Sequence, residues 1–285
     1  MTEWTDRYWN SADGVKLHYR DHDGDRDRPP ILCIPGLTRN ARDFEPVADR
    51  FAGDWRVLSI DLRGRGGSAF DPDSANYKPM VYVADILKLL DQLGIADAIF
   101  VGTSLGGICT MALALSDRER IAGALLNDIG PVVDQAGIDR IAGYVGKEPN
   151  FASWDEAIDA VAMRNADIYP DYDRLDFERF VRRIMREEGG EVVFDYDMRI
   201  ADNFESATAA PDAWPLYQAL NGRPVAILRG ELSDLLSAEV AARMAGAIDD
   251  VELVTVPGVG HTPTFDEPES IAALERLLAR VLKAQ

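Results

Sequence analysis

The stretch VGTSLGG, residues 101–107, constrains the fold of this chain more than any other. An apolar run, residues 98–101, precedes it, and a run with helical character follows it. A Gly-x-Ser-x-Gly pattern between a strand and a helix is typical of a sharp turn that leaves the serine hydroxyl exposed. A side chain at Gly102 or Gly106 would clash where that turn is tightest. We therefore expect Ser104 to lie on a strand-to-helix turn.

The pattern alone is weak evidence, since its three fixed positions occur by chance in about one chain of this length in ten. Its context is stronger, because apolar runs of strand length alternate with helical patterns along the chain. This alternation predicts an α/β fold: a mostly parallel sheet with helices on both faces. The predicted strands are residues 8–10, 15–20, 31–34, 55–60, 98–101, 121–126, 224–229 and 251–256.

The alternation is interrupted once, between the sixth predicted strand and the seventh. The intervening block, residues 132–211, is mostly amphipathic and helical in pattern. It contains a good helix over 176–186, which we expect to end at Gly189-Gly190. The sequence therefore predicts a helical cap, or lid, inserted into an α/β core that is formed by residues 1–131 and 212–285.

Charge and composition limit the partners of the chain. The formal net charge of −19 argues against nucleic acid, which needs a basic surface. No apolar run reaches the roughly 18 residues of a membrane span, and the N-terminus lacks the features of a signal peptide. Cys33 and Cys109 both lie in apolar elements, as expected of free thiols in a reducing compartment. We expect a cytoplasmic protein that binds a small-molecule substrate and neither nucleic acid nor membrane.

A loop of alternating aspartates, residues 21–27, matches a calcium-binding loop only in part. Arg26 stands where that loop needs glycine, and Leu32 stands where it needs a bidentate glutamate. We therefore expect a solvated turn here, and we expect neither a metal nor a cofactor in this protein.

Ser104 requires a base, because a serine hydroxyl is a poor nucleophile at neutral pH. The chain has three histidines. His18 and His22 precede the buried strands, and we expect His18 to be an exposed or packed strand histidine and not a ligand. His261 follows the last predicted strand in a glycine-rich loop, so it is the candidate base.

The base needs a carboxylate that holds its tautomer, and the chain order Ser, acid, His leaves three candidates. We favour Asp234, a few residues beyond the seventh predicted strand, and then Asp128, which follows the sixth. Glu231 lies in the same loop as Asp234. The oxyanion site is expected to use the backbone N–H of Leu105, the residue after the nucleophile, and that of Leu37.

Five loops in this order resemble those of the α/β-hydrolase superfamily over essentially the whole chain. The resemblance implies a serine triad and a helical cap after the sixth strand. Two positions depart from the common pattern: Pro35-Gly36 replaces His-Gly, and Arg65 replaces a histidine, so that the polarity of the pocket should change. The five loops are Pro35-Gly36-Leu37, Asp61-Leu62-Arg63-Gly64-Arg65-Gly66-Gly67-Ser68, Gly102-Thr103-Ser104-Leu105-Gly106-Gly107, Arg229-Gly230-x-x-Ser233-Asp234 and Gly258-Val259-Gly260-His261.

The resemblance implies hydrolysis of a small carboxylic ester or lactone through an acyl-enzyme. Subfamilies with an aspartate nucleophile do not match, because position 104 is serine. Hydrolysis of a carbon–carbon bond in ring-fission products is an alternative, which Pro35-Gly36-Leu37 and Thr103 disfavour. A cofactor-free perhydrolase shares the same triad. The remote alternative is a non-catalytic ligand-binding protein on this fold.

The substrate pocket is expected to be lined by apolar side chains of the cap and its border. The candidates are Trp154, Met163 and Trp214, together with Phe151. Four cap arginines are candidates for binding a substrate carboxylate, although a solvated helix face is the expected role of each. They are Arg164, Arg182, Arg183 and Arg199.

Overall fold

The computed structural model describes residues 2–204 and 212–284. Its strands are β1 (Thr5–Asn10), β2 (Lys16–His22), β3 (Ile31–Ile34), β4 (Val57–Asp61), β5 (Ala98–Thr103), β6 (Ile121–Asn127), β7 (Met185–Glu188), β8 (Glu191–Phe194), β9 (Val225–Gly230) and β10 (Val251–Val256). All but β7 and β8 form one sheet, in the order β1-β2-β4-β3-β5-β6-β9-β10. Pairs β1–β2 and β2–β4 are antiparallel and the other pairs are parallel, which confirms the predicted sheet.

Helices cover both faces of this sheet, and every residue of β3, β4, β5 and β6 is buried between them. Such burial is the reason that β3 and the greater part of β5 and β6 are apolar in sequence. None of the helices in the described ranges is both long and apolar enough to cross a membrane. They are α1 (Glu45–Phe51), α2 (Pro79–Leu93), α3 (Leu105–Asp117), α4 (Gln135–Tyr144), α5 (Trp154–Asn165), α6 (Arg174–Ile184), α7 (Ala201–Phe204), α8 (Trp214–Gln218), α9 (Ala238–Ala245) and α10 (Pro268–Ala284).

The segment between β6 and β9 contains α4 to α7, and it also contains the antiparallel hairpin β7–β8. The sequence predicts a helix through residue 186 and no hairpin, so this detail is wrong. Gly189 and Gly190 do not end the helix. They form the hairpin turn, with φ of 61° and 90°, a conformation that glycine adopts without steric cost. Residues 205–211 of the predicted cap lie outside the described residues.

His18 on β2 links the edge strand β1, through Asp6, to the end of β4, through Asp61. His18 is buried; its Nδ1 lies 2.7 Å from Oδ2 of Asp61, and its Nε2 lies 3.0 Å from Oδ1 of Asp6. Asp61 also accepts hydrogen bonds from the backbone N–H groups of Ala41 and Gly67. Burial by itself would lower the pKa of His18, but the two carboxylates outweigh it and raise that pKa.

This raised pKa predicts a pH-dependent stability. Protonated His18 stabilises the fold, so its contribution should be complete below about pH 6.5 and should be lost as the pH rises through the pKa of the folded protein. We expect His18→Gln to lower the free energy of unfolding by about 2 kcal/mol at pH 6, and by less at pH 8.5. Urea unfolding of both proteins at both pH values measures this. A difference that is equal at both pH values, or larger at pH 8.5, would contradict the prediction.

Candidate active site

Ser104 lies on the sharp turn between β5 and α3, with φ 51° and ψ −112°. The turn requires glycine on both sides of it, because the backbone is packed too closely for a side chain. A Cβ at Gly102 would lie 2.5 Å from the backbone of Gly106, and a Cβ at Gly106 would lie 2.1 Å from the carbonyl oxygen of Ile34. The predicted strand-to-helix turn, and the steric reason for its glycines, are confirmed.

Ser104, His261 and Asp128 form a continuous line of hydrogen-bonding groups. Nε2 of His261 lies 3.0 Å from Oγ of Ser104, and Nδ1 of His261 lies 2.7 Å from Oδ2 of Asp128. The three residues follow β5, β10 and β6 respectively, so they meet at the carboxyl edge of the sheet, where α/β sheets bind their ligands. With Nδ1–H held by the carboxylate, Nε2 is free to accept the proton of the serine hydroxyl.

Asp128 is held in place by burial and by several hydrogen bonds to its carboxylate. Its side chain is fully buried, and its backbone has φ 55°, a left-handed conformation that aspartate tolerates. Besides His261, the carboxylate accepts hydrogen bonds from the backbone N–H of Gly230 at 2.9 Å and from Oγ of Ser233 at 2.6 Å. The loop after β9 therefore supports Asp128, and it does not supply the carboxylate that contacts His261.

The prediction that Asp234 orients the base is wrong. Both oxygens of Asp234 accept from the guanidinium of Arg140 on α4, at 2.6 Å and 2.8 Å. This pairing lowers the pKa of Asp234 and turns its carboxylate toward the segment between β6 and β9. Glu231 is also elsewhere, since its carboxylate accepts from the backbone N–H of Gly258. The second-ranked candidate, Asp128, takes the position beside His261.

The backbone N–H groups of Leu37 and Leu105 are unoccupied donors at the edge of the site. Leu105 is the first residue of α3, so its N–H has no partner within the helix. Neither N–H donates to another protein group in residues 2–204 or 212–284. A helix N-terminus also carries partial positive charge. The two groups are thus available to a developing negative charge on a bound carbonyl.

Arg65 supports the loop that carries Leu37. Its side chain is fully buried, and its Nε donates to the carbonyl oxygen of Leu37 at 2.9 Å. Nη1 donates to the carbonyl oxygen of Arg63 and to the hydroxyl of Tyr82. The expectation that Arg65 changes the polarity of the pocket is wrong, because Arg65 lies behind the pocket wall and acts on the shape of the loop.

A cavity of about 280 Å³ opens beside Ser104 and His261. Its floor comes from the loop after β3 and from the turn at Ser104, and its roof from the segment between β6 and β9. The apolar part of the roof consists of side chains that the sequence did not single out. They are Ile141, Tyr144, Ile168, Tyr169, Phe180, Ile184 and Phe194.

The predicted pocket residues Trp154, Met163 and Trp214 do not line this cavity. Met163 is 83% exposed on the outer face of α5. Trp154 donates its indole N–H to Glu187, and Trp214 stacks against Arg243. A sequence pattern places side chains on a helix, but the face that points to the site depends on how the helix docks.

The cap arginines also separate into two groups. Arg164 lines the cavity. The other three pair with carboxylates away from it: Arg182 with Glu178, Arg183 with Asp266 and Arg199 with Asp197. Two arginines that the sequence did not single out, Arg39 and Arg140, line the cavity as well.

Comparison with known proteins gives the class. A sequence model described as the alpha/beta hydrolase family matches residues 31–274. The chain is 53% identical to an alpha/beta hydrolase from Novosphingobium aromaticivorans of known crystal structure, with a TM-score of 0.94 over 98% of this chain and 99% of that one. The chain therefore belongs to the α/β-hydrolase family and is a hydrolase.

Two curated relatives differ in the reactions that their names state. A protein from Cupriavidus necator, named 3-hydroxybutyrate-oligomer hydrolase, is 35% identical over 87% of this chain and 88% of its own length. A protein from a Pseudomonas species, named 2-hydroxymuconate semialdehyde hydrolase, is 26% identical over 86% of this chain and 84% of its own length. The similarity therefore extends over most of both proteins. It identifies the family, but it does not identify the reaction, because the two names state different reactions.

Proposed function

We propose that this protein is a serine hydrolase that cleaves small carboxylic esters through an acyl-enzyme. The observation that carries the proposal is the hydrogen-bonded line from Ser104 through His261 to Asp128, beside a cavity with free N–H donors. In this proposal Ser104 is the nucleophile, His261 is the base, and Asp128 holds His261 in the tautomer that accepts the proton. The described part of the inserted segment, residues 132–204, acts as the cap over the site.

The chemical steps follow from the positions of these groups. Ser104 Oγ attacks the ester carbonyl while its proton moves to Nε2 of His261, and the carbonyl oxygen becomes an oxyanion. The N–H groups of Leu37 and Leu105 stabilise that oxyanion. His261 then donates the proton to the leaving alcohol, and an acyl-Ser104 ester remains. Water, deprotonated by His261, attacks this ester and releases the acid and the free serine.

The relative from Cupriavidus necator supports an ester substrate, since its name states that it hydrolyses 3-hydroxybutyrate oligomers. Such an oligomer is a linear ester with a free hydroxyl at one end and a free carboxylate at the other. We propose short esters of hydroxy acids as the substrates to test first. The small volume of the cavity favours a dimer over a long chain.

The direct test is labelling of the folded protein by a fluorophosphonate probe. We expect one adduct, on Ser104, because only this hydroxyl lies beside both a histidine and free N–H donors among the described residues. We also expect the unlabelled protein to release 3-hydroxybutyrate from its linear dimer, and the labelled protein to release none. Mass spectrometry locates the adduct, and heat-unfolded protein is the control. Failure of the folded protein to be labelled at Ser104 would refute the proposal.

A carbon–carbon bond hydrolase is the second candidate. The Pseudomonas relative supports it, because its name states that it hydrolyses 2-hydroxymuconate semialdehyde. That reaction would use the same cavity, so labelling of Ser104 cannot separate the two candidates. Turnover of a ring-fission dienoate can be monitored by the loss of its visible absorbance. Such turnover, without hydrolysis of the ester dimer, would favour this second candidate.

A further inference from the structure

The cavity is lined by several arginine side chains, although the chain has a formal net charge of −19. Arginines outnumber carboxylates on this wall by three to one, since Arg39, Arg140 and Arg164 line it together with Glu148. Each arginine also pairs with one carboxylate, Asp43, Asp234 or Glu148, so the cavity offers guanidinium N–H donors and not a net positive charge. These donors suit a substrate group with negative charge.

Two of the arginines are held by carboxylates that lie behind the wall. Asp43 accepts from Nε and Nη2 of Arg39, at 2.7 Å and 2.6 Å, and Asp234 accepts from the same two nitrogens of Arg140. Neither aspartate lines the cavity. Each carboxylate holds its guanidinium through Nε and Nη2, so the N–H groups of Nη1 do not donate to that carboxylate.

Arg164 is held in a different way, through one nitrogen of its guanidinium and not through two. Only its Nη1 donates to a carboxylate, that of the buried Glu148 at 2.6 Å. The guanidinium carbon lies 5.2 Å from the ring centre of Tyr144 and 5.4 Å from that of Phe194. Nε and Nη2 donate to no group in the part of the chain that the structure describes. The rings orient the cation, while two donors stay available.

We propose, on the basis of the proposed function, that Arg164 and Arg140 bind a free carboxylate of the substrate. The protein would then select esters that carry a carboxylate beyond the scissile bond. A guanidinium presents parallel N–H donors whose spacing matches a carboxylate, so it distinguishes this group from a neutral amide of the same shape. Because both arginines line the same cavity as Ser104, the carboxylate and the reacting carbonyl are bound together.

The test compares two substrates that differ in one group. They are the linear 3-hydroxybutyrate dimer and the same dimer with its terminal carboxylate converted to a primary carboxamide. Hydrolysis of the acid gives two molecules of 3-hydroxybutyrate, whereas hydrolysis of the amide gives one molecule of 3-hydroxybutyrate and one of 3-hydroxybutyramide. The rates are therefore compared per ester bond cleaved. We expect kcat/KM of the wild type to be at least about tenfold higher for the acid, because a hydrogen bond to a charged group contributes about that factor. The difference should lie mainly in KM, since the bound carboxylate takes no part in the reaction.

The variants neutralise each arginine together with its partner, so that no carboxylate is left without its arginine. They are Arg164→Gln with Glu148→Gln, and Arg140→Gln with Asp234→Asn. We expect each to lower the acid-to-amide ratio at least about threefold, and to change turnover of the amide by less than that. Arg182→Gln is the matched control: it removes an arginine that pairs with Glu178 outside the cavity, and it should leave the ratio unchanged.

The outcomes separate this inference from the proposed function. Wild-type protein that is labelled at Ser104 and hydrolyses both dimers equally well overturns the inference alone. The same holds if both double variants fold, as shown by their thermal unfolding, and keep the wild-type ratio. Protein that is not labelled at Ser104 overturns the proposed function and this inference with it.

Discussion

Replacement of Asp128 by asparagine should lower kcat for 4-nitrophenyl acetate by about 10⁴-fold. An asparagine amide in this position donates to Nδ1 of His261, which places the ring proton on Nε2. The ring then cannot accept the proton of Ser104. The substitution keeps the size of the side chain, and the amide oxygen can still accept from the N–H of Gly230, so the fold should persist. Initial rates and a thermal unfolding curve measure both effects.

Asp234→Asn is the matched control for this prediction. It makes the same chemical change in a carboxylate that the sequence favours as the acid and that the structure pairs with Arg140. We expect kcat for the same neutral ester to stay within about tenfold of the wild type, since this carboxylate does not touch His261. If the Asp234 variant loses activity and the Asp128 variant keeps it, the assignment of the acid is reversed.

The sequence could predict the sheet because burial leaves a direct trace in residue type. Strands covered on both faces are mostly apolar, as in β3 and β6. A turn as tight as that at Ser104 has no room for a side chain at Gly102 or Gly106. The hairpin β7–β8 has a weaker sequence pattern. Its first strand contains three charged residues, and charged residues directly after an amphipathic helix extend the helical pattern.

The carboxylate that contacts His261 could not be chosen from the sequence, because two placements satisfy the same order along the chain. Asp128 and Asp234 both follow a strand that ends at the correct edge of the sheet. The choice depends on which carboxylate is turned toward His261. Arg140, a residue of the inserted segment, binds Asp234 and not Asp128. Interactions across 94 residues leave no local pattern. The same reason applies to the pocket, whose lining depends on how α4 to α6 dock.

Ser104→Ala should lower kcat by about 10⁶-fold, because it removes the atom that forms the acyl-enzyme. The change deletes one oxygen, whose partner is Nε2 of His261, and it leaves the cavity and the N–H donors in place. Substrate binding should therefore survive. We expect the 3-hydroxybutyrate dimer to raise the unfolding temperature of this variant, which calorimetry can measure without turnover. A variant that retains more than about 1% of the wild-type rate would exclude Ser104 as the nucleophile.

Ser104→Gly should be equally inactive, and it should also be more stable than Ser104→Ala. A φ of 51° with a ψ of −112° is a strained conformation for any residue with a Cβ, and alanine keeps that strain. Glycine relieves it, at the cost of a more flexible unfolded chain. We expect a net gain of about 1 kcal/mol over alanine, or about 2 °C in unfolding temperature for a chain of this size. Equal stability of the two variants would contradict this prediction. It would show that the backbone conformation at residue 104 costs no more for alanine than for glycine.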